Sequence, residues 1–194
     1  MKTGFLRNFT ALVVVSALYG CAARPPAYDI VILDGSIVDG SGSPAYVGDV
    51  GIKSGEIVKI GHFDESMATR VVDATGLIVS PGFIDLHTHA DGNIRDNPGA
   101  ENYLRQGVTT LLGGNCGSSA VDLDAYFQSV ENAGIAVNLG MLIGHNDVRA
   151  EVMGNDNRAP TADEQASMEA LVAEAMDAGA VSYTHLTLPT IESR

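Results

Sequence analysis

Pro81-Gly82-Phe83-Ile84-Asp85-Leu86-His87-Thr88-His89 is the stretch that decides the fold of this chain. An apolar run after a Pro-Gly pair predicts a strand, and the side chains of a strand point alternately to its two faces. This alternation would place Asp85, His87 and His89 on one face. Two imidazoles that lie two residues apart at a strand end are able to bind one metal ion together. The stretch therefore predicts a metal site.

The opposite face of the same strand carries Ile84, Leu86 and Thr88, which we expect to pack against a helix. Metal ligands at the end of a buried strand are typical of a parallel β/α barrel, in which the strand ends form the catalytic mouth. A His-x-His pair alone often occurs by chance. The alternative interpretation is two polar histidines at a loop junction, and the strand context argues against it.

The residues upstream of this strand predict a small β module. Short apolar runs are separated by turn residues, and Asp34-Gly35 and Ser54-Gly55 each stand between two such runs. A two-residue connection of this kind is typical of a β-hairpin. We therefore expect residues 24–81 to form an antiparallel β-sandwich module with no helix before about residue 96.

The first 23 residues have the layout of an export signal. Two basic residues precede an apolar stretch at 9–19, which is too short to remain as a membrane-spanning helix. Leu18-Tyr19-Gly20-Cys21 is similar to a bacterial lipobox, in which lipid is attached to the cysteine. The sequence thus predicts a periplasmic or membrane-anchored bacterial lipoprotein with Cys21 as the lipidation site. A conventional cleaved signal and a retained anchor are the alternatives.

The composition excludes some classes of partner. The chain has 11 basic and 24 acidic residues and a formal net charge of −13. No basic cluster stands out, so we expect no nucleic-acid partner. Two cysteines, Cys21 and Cys116, do not provide a disulfide framework.

Downstream of residue 89 the predicted strands and helices alternate. Apolar residues three and four positions apart predict helices, and short apolar runs that end in glycine predict strands. Thr161-Ala162-Asp163-Glu164 has the pattern of a capping box. The predicted helices are 98–106, 122–133 and 161–178, and the predicted strands are 108–112 and 135–143. These segments make about three βα units, whereas a closed barrel has eight.

A β module that ends in the motif at 79–89, Val-Ser-Pro-Gly-Phe-Ile-Asp-Leu-His-Thr-His, resembles the amidohydrolase superfamily. The resemblance runs from about residue 28 to residue 181. It implies a (β/α)8 TIM-type barrel, a β-sandwich built from both chain ends, and one or two divalent metal ions at the barrel mouth. The expected fold class is thus α/β, with a partial barrel at 82–182.

Cys116 narrows the resemblance to one group of the superfamily. It follows the second predicted strand within Gly-Asn-Cys-Gly, and a thiolate is a strong zinc ligand. Many relatives bind the metal through a carboxylated lysine that comes from later in the barrel. D-aminoacylases and related N-acyl-D-amino-acid deacylases are similar to this chain in having a cysteine in Gly-Asn-Cys-Gly instead. The resemblance implies Zn²⁺ bound by His87, His89 and Cys116. A small buried apolar residue near a turn is the alternative role for the cysteine.

Three further residues are weaker candidates. Gly144-His145-Asn146-Asp147-Val148-Arg149 resembles a segment of the same deacylases, which makes His145 and Arg149 candidate substrate-binding residues. Helix capping or loop bracing is the alternative for both. Asp91 follows the histidine pair and is a candidate for orienting a ligand imidazole, or else a solvated loop acid.

The activity implied by the resemblance is hydrolysis of the amide bond of a small N-acyl-D-amino acid by a metal-activated water. In the family, two more histidines and the catalytic aspartate come from later strands, so the catalytic residue here is unassigned and the chain is expected to be truncated and inactive. Action on cyclic amides or deamination, and a non-catalytic lipid-anchored envelope protein, are the alternatives. Residues 183–194 depart from the family pattern and are expected to be a non-native or frameshifted tail, so His185 receives no role.

Overall fold

The computed structural model describes residues 26–185, and the chain divides into two compact units between Ser80 and Pro81. Within the described residues the first unit is a five-stranded sheet. Its strands are β1 (Tyr28–Ile37), β2 (Tyr46–Lys53), β3 (Glu56–Gly61), β4 (Ala68–Asp73) and β5 (Ile78–Val79). The predicted signal segment, including Cys21, lies outside the described residues.

The sheet of the first unit is mixed, which corrects the expectation of a wholly antiparallel module. Strand order is β3-β2-β1-β4, and β5 also pairs with β1. Strand β2 is antiparallel to both β1 and β3, whereas β4 and β5 run parallel to β1. The parallel pairings arise because the chain passes from β3 through residues 62–67 to the far side of β1 before it re-enters the sheet.

The two predicted hairpins have different outcomes. Ser54-Gly55 joins β2 to β3 with positive φ at both residues, so this hairpin is confirmed. The hairpin at Asp34-Gly35 is wrong, because β1 continues through it and the register with β2 shifts there as in a β-bulge. Asp34 takes a φ of 56°, and its N–H donates to a carboxylate oxygen of buried Asp49 at 2.8 Å. That bond satisfies the backbone group that the bulge frees.

The second unit is a parallel four-stranded sheet with helices between its strands, which confirms the predicted partial barrel. Its strands pair in the order β6-β7-β8-β9. The strands are β6 (Phe83–Asp85), β7 (Val108–Gly113), β8 (Asn138–Gly144) and β9 (Ser182–Thr184), and the helices are α1 (Glu101–Leu104), α2 (Leu123–Ala133), α3 (His145–Met153) and α4 (Ala162–Asp177). Helix α1 is shorter than predicted, since Ala100 takes a left-handed φ of 43°. Helix α3 was not predicted.

The core of the second unit lies between its sheet and its helices. Leu111 of β7 and Met141 and Ile143 of β8 are fully buried, as is Leu123 at the start of α2. Burying a side chain of this size contributes about 1.5–3 kcal/mol. The core therefore fixes β7 and β8 side by side, and with them the loops that follow their C-terminal ends.

Strand β6 is shorter than the sequence predicted. It ends at Asp85, because a carboxylate oxygen of Asp85 accepts a hydrogen bond from the His87 N–H at 3.1 Å and turns the chain out of the strand. The two histidines thus lie in the following loop. Ile84 and Leu86 are 62% and 68% exposed, so the predicted packing of that face against a helix is wrong for them, whereas Thr88 is 4% exposed.

Strand β9 includes the first two residues of the predicted non-native tail, and Thr184 pairs with Gly144 of β8. Residues 186–194 lie outside the described residues. Between residues 26 and 185, none of the helices combines the length and the apolar character needed to cross a bilayer.

Helix α4 begins with the predicted capping box. The Thr161 hydroxyl accepts from the Glu164 N–H at 3.3 Å, and a Glu164 carboxylate oxygen accepts from the Thr161 N–H at 2.8 Å. Hydrogen bonds from the Arg158 guanidinium, and then from Thr161, lower the pKa of Glu164 from 4.5 to about 2. The carboxylate therefore stabilises the folded state above pH 4.5, and this contribution is lost as the pH falls from 4.5 through about 2.

We predict that Glu164→Gln makes the melting temperature less dependent on pH between about 4.5 and 2. Melting followed by circular dichroism at 222 nm measures this effect. Glu169→Gln, on an exposed position of the same helix, is the control and should keep the wild-type acid dependence. An unchanged acid dependence in Glu164→Gln would contradict the proposed linkage.

Candidate metal centre

Three of the predicted site residues converge at the C-terminal ends of β6 and β7. One ligand atom from each of His87, His89 and Cys116 lies within 4.8 Å of the others. The Cys116 Sγ is 3.5 Å from Nε2 of His87, and the two imidazole rings have centroids 5.7 Å apart with an angle of 72° between their planes. Both imidazoles are exposed and the cysteine is partly buried, so the cluster faces solvent.

The backbone of Cys116 brings its thiol to this position. The residue lies in the short 3-10 turn Asn115–Gly117 after β7 and has a φ of 58°, in the left-handed region. Gly114 and Gly117 on either side have φ values of 75° and 81°. Left-handed backbone costs about 1–2 kcal/mol for a residue with a Cβ. A cysteine held in this conformation is a strained residue of the kind that clusters at functional sites.

The loop that carries Cys116 packs tightly against the end of β8. A Cβ on Gly114 would lie 2.1 Å from the carbonyl oxygen of Leu142, and a Cβ on Gly144 would lie 2.4 Å from the carbonyl oxygen of Gly117. The Gly144 N–H donates to the hydroxyl of Ser119 at 2.8 Å. Glycine is therefore required at these positions by close approach of the backbones.

Two buried polar side chains tie the histidine loop to the cysteine loop. Thr88 and Asn115 are 4% and 5% exposed. The carbonyl oxygen of Leu112, near the end of β7, accepts from the Thr88 N–H at 3.1 Å, the Thr88 hydroxyl at 3.1 Å and the Asn115 side-chain amide at 2.7 Å. The same amide also reaches the Thr88 carbonyl oxygen at 3.1 Å. Sequence reasoning missed both residues; their signal is a polar residue directly beside each predicted ligand.

His145 and Arg149 lie on α3, which follows β8. Nδ1 of His145 is 2.5 Å from the hydroxyl oxygen of Tyr183. The guanidinium of Arg149 donates to the carbonyl oxygens of Asp156 and Arg158, both at 2.7 Å. The two bonds of Arg149 are the contacts expected of a loop-bracing residue, which was the alternative role for it. Substrate contact by either residue stays a prediction.

Asp91 lies against Gly113 at the end of β7. In the described part of the chain it makes no hydrogen bond to an imidazole, and its Oδ1 is buried without a hydrogen-bond partner. Its backbone carbonyl accepts from the Tyr126 hydroxyl at 2.9 Å. Burial, with a smaller effect from the charge of Asp91, raises the pKa of Tyr126 to about 12. Tyr126 therefore stays protonated and keeps donating to this carbonyl.

The donor set of the cluster fits zinc. Zinc prefers imidazole nitrogen and thiolate sulfur, and in hydrolytic sites three protein ligands leave a fourth position for water or substrate. Bonds of about 2.0–2.3 Å in a tetrahedral site hold ligand atoms roughly 3.3–3.8 Å apart. The 3.5 Å between Cys116 Sγ and His87 Nε2 already falls in that range.

Comparison with known proteins gives a consistent family. An N-acyl-D-aspartate deacylase of Alcaligenes xylosoxydans xylosoxydans is 35% identical over an alignment of 179 positions, and the match covers 80% of this chain and 36% of that protein. A D-aminoacylase of the same organism is 33% identical over an alignment of 180 positions, and the match covers 81% of this chain and 37% of the relative.

A structural relative agrees with these sequences. The crystal structure of N-acyl-D-glutamate deacylase from Bordetella bronchiseptica, in complex with zinc and a phosphonate inhibitor, superposes with a TM-score of 0.77 at 33% identity, covering 81% of this chain and 38% of that one. The chain thus spans between 36% and 38% of the length of these relatives. A model of the amidohydrolase family matches residues 70–191. The chain therefore belongs to the amidohydrolase family, as its motifs predicted, and resembles the N-acyl-D-amino-acid deacylases within it.

Proposed function

We propose that this chain forms part of a zinc-dependent hydrolase that cleaves the amide bond of small N-acyl-D-amino acids. The observation that carries the proposal is the convergence of His87, His89 and Cys116 within 4.8 Å at adjacent strand ends. The deacylases that the chain resembles over 80% of its length support this substrate class. The chain spans 36% of the length of that relative, and the amide hydrolysis is proposed for the whole protein.

Each of the three side chains has a defined part in this proposal. The imidazoles of His87 and His89 would bind through ring nitrogens that carry no proton, and Cys116 would bind as a thiolate. Zinc bound by these residues would supply a water with its pKa lowered towards 7 and would polarise a carbonyl oxygen. The exposure of both imidazoles leaves the cluster open to a substrate arriving from solvent.

A metal titration tests the site. Co²⁺ reports thiolate ligation through a sulfur-to-metal charge-transfer band, so we expect the purified chain to bind one Co²⁺ at this cluster with such a band, and Zn²⁺ to displace it. His87→Ala should weaken binding more than the roughly 10–100-fold that loss of an outer hydrogen-bond partner causes. His62→Ala, an exposed histidine of the first unit, is the matched control and should bind as wild type. Equal binding by His87→Ala and wild type would refute the metal site.

An enantiomer comparison tests the reaction. The whole gene product, loaded with zinc, is incubated with N-acetyl-D- and N-acetyl-L-glutamate, with a cyclic amide and with adenine. We expect release of acetate from the D-enantiomer alone. Ring opening or ammonia release without hydrolysis of the D-enantiomer would instead support the other amidohydrolase reactions.

We also propose that the chain is exported and attached to a membrane through lipid on Cys21. The support is the basic start, the short apolar stretch and the lipobox-like Leu18-Tyr19-Gly20-Cys21. Metabolic labelling with a radioactive fatty acid should label wild type and leave Cys21→Ala unlabelled. Equal labelling of both would remove the anchor from the proposal.

A further inference from the structure

We infer that Asn115 and Thr88 are positioning residues, whose hydrogen bonds hold the histidine loop and the cysteine loop at the separation needed to bind one metal ion. This inference rests on the proposed metal centre and concerns residues that do not themselves coordinate. Thr88 stands between the two histidines, and Asn115 immediately precedes the cysteine. Each ligand is therefore one peptide unit away from a side chain of this pair.

The contacts converge on one atom. Three donors, from the backbone and hydroxyl of Thr88 and the amide of Asn115, meet at the carbonyl oxygen of Leu112. That oxygen lies close to the end of β7, which is anchored by the fully buried Leu111. The bond from the Asn115 amide to the Thr88 carbonyl then closes the link between the loops. Both loops are thus held by hydrogen bonds to β7, a strand of the core.

Burial makes this link stiff. Thr88 and Asn115 are both more than nine-tenths buried, although His87 and His89 are exposed. In a low-dielectric environment a hydrogen bond is stronger than in water, and an unpaired polar group is costly. The exposed histidines are therefore adjacent to buried, hydrogen-bonded side chains. This is expected where outer hydrogen bonds orient the ligands of a metal.

The same hydrogen bonds also help to hold the strained backbone of Cys116 in place. A φ of 58° is unfavourable for a cysteine and persists only if the surroundings hold it. The Asn115 amide bonds hold the residue immediately before the cysteine. Loss of these bonds should allow the turn to relax and move the thiol away from His87.

Isosteric variants test the inference by metal binding. Asn115→Leu and Thr88→Val keep side-chain shape and charge and remove the side-chain hydrogen bonds, while the backbone bond of residue 88 remains. We expect each to lower Co²⁺ affinity by about 10–100-fold and to weaken or shift the sulfur-to-cobalt band. Thr88→Ser keeps the hydroxyl that Thr88→Val removes, and it should show the cobalt affinity and the spectrum of wild type.

A folding control separates positioning from general destabilisation. Ser129→Ala, on α2, removes a partly buried hydrogen bond from the serine hydroxyl to the Tyr126 carbonyl, 2.6 Å long, and should change the urea midpoint without changing cobalt affinity. The inference is overturned if Thr88→Val and Asn115→Leu bind cobalt as wild type does. It is also overturned if Thr88→Ser is as weak as Thr88→Val. Absence of the cobalt band from folded wild-type chain would instead refute the metal centre, and the inference with it.

Discussion

Gly114→Ala is expected to destabilise the second unit more than any other exchange of glycine for alanine in the loops around His87, His89 and Cys116. The residue has a φ of 75°, and its new Cβ would lie 2.1 Å from the Leu142 carbonyl oxygen. Left-handed strain costs about 1–2 kcal/mol, and forcing a methyl group into tightly packed structure costs about 1–3 kcal/mol more. We therefore expect the free energy of unfolding to fall by about 2–5 kcal/mol.

Two control variants separate the two causes. Gly134 ends α2 with a φ of 67° and has open space around its Cβ position, so Gly134→Ala introduces strain alone. Gly144 has an ordinary φ of −91° but a Cβ position 2.4 Å from the Gly117 carbonyl oxygen, so Gly144→Ala introduces the clash alone. Each should cost less than Gly114→Ala.

Urea unfolding measured at 222 nm decides among them. The α-helices of the described residues all lie in the second unit, so this signal follows the unit that carries the cluster. Equal midpoints for Gly114→Ala and Gly134→Ala would mean that the loop moves away from β8 without cost, and would contradict the close packing described for it.

Apolar periodicity, together with the resemblance to the amidohydrolases, predicted the part of this fold that carries the candidate metal ligands. The βα repeat follows from apolar periodicity, and the ends of parallel strands lie at one edge of a sheet. Residues that follow the first and second strands must then be neighbours. Together with the Gly-Asn-Cys-Gly motif shared with the deacylases, this allowed His87, His89 and Cys116 to be grouped although the cysteine lies 27 positions after the second histidine.

The exact path of the chain through these elements could not be predicted in the same way. The apolar residues Ile84 and Leu86 favour a longer strand, but the local bond from the His87 N–H to Asp85 ends it. Asp34-Gly35 has the composition of a hairpin turn and becomes a bulge because Asp49, 15 residues away, accepts its backbone hydrogen bond. Apolar periodicity shows neither of these hydrogen bonds, and so it does not predict where they override the local pattern.

The roles of Thr88 and Asn115 depend on tertiary contacts even more strongly. Alternation predicted that Thr88 lies on the face opposite the histidines, but it indicated neither the hydrogen bonds of Thr88 nor the burial of Asn115. Their shared hydrogen-bond partner, the Leu112 carbonyl oxygen, becomes evident only when β6 and β7 are paired. The candidate ligands of this site were predicted from the sequence and its family resemblance, whereas the groups that hold them become evident only in the fold.

Cys116→Gly is expected to abolish thiolate ligation while leaving the metal-free chain as stable as wild type, or more stable by up to about 1 kcal/mol. Glycine adopts a φ of 58° without steric cost, so the strain of about 1–2 kcal/mol is relieved, and the greater freedom of glycine in the unfolded chain offsets part of the gain. Metal affinity should fall by more than about 100-fold, because a ligand is lost rather than an outer hydrogen bond.

Two variants assign these effects to their causes. Cys116→Ala removes the thiol and keeps the strain, so it should lose the sulfur-to-cobalt band without becoming more stable. Ser54→Gly relieves a similar φ of 52° in the hairpin of the first unit, and it should change stability without affecting cobalt binding. A strained position at which glycine improves the fold and removes the ligand indicates that the cysteine serves binding and not folding. If Cys116→Gly kept cobalt affinity, or if it unfolded the metal-free chain, that conclusion would be wrong.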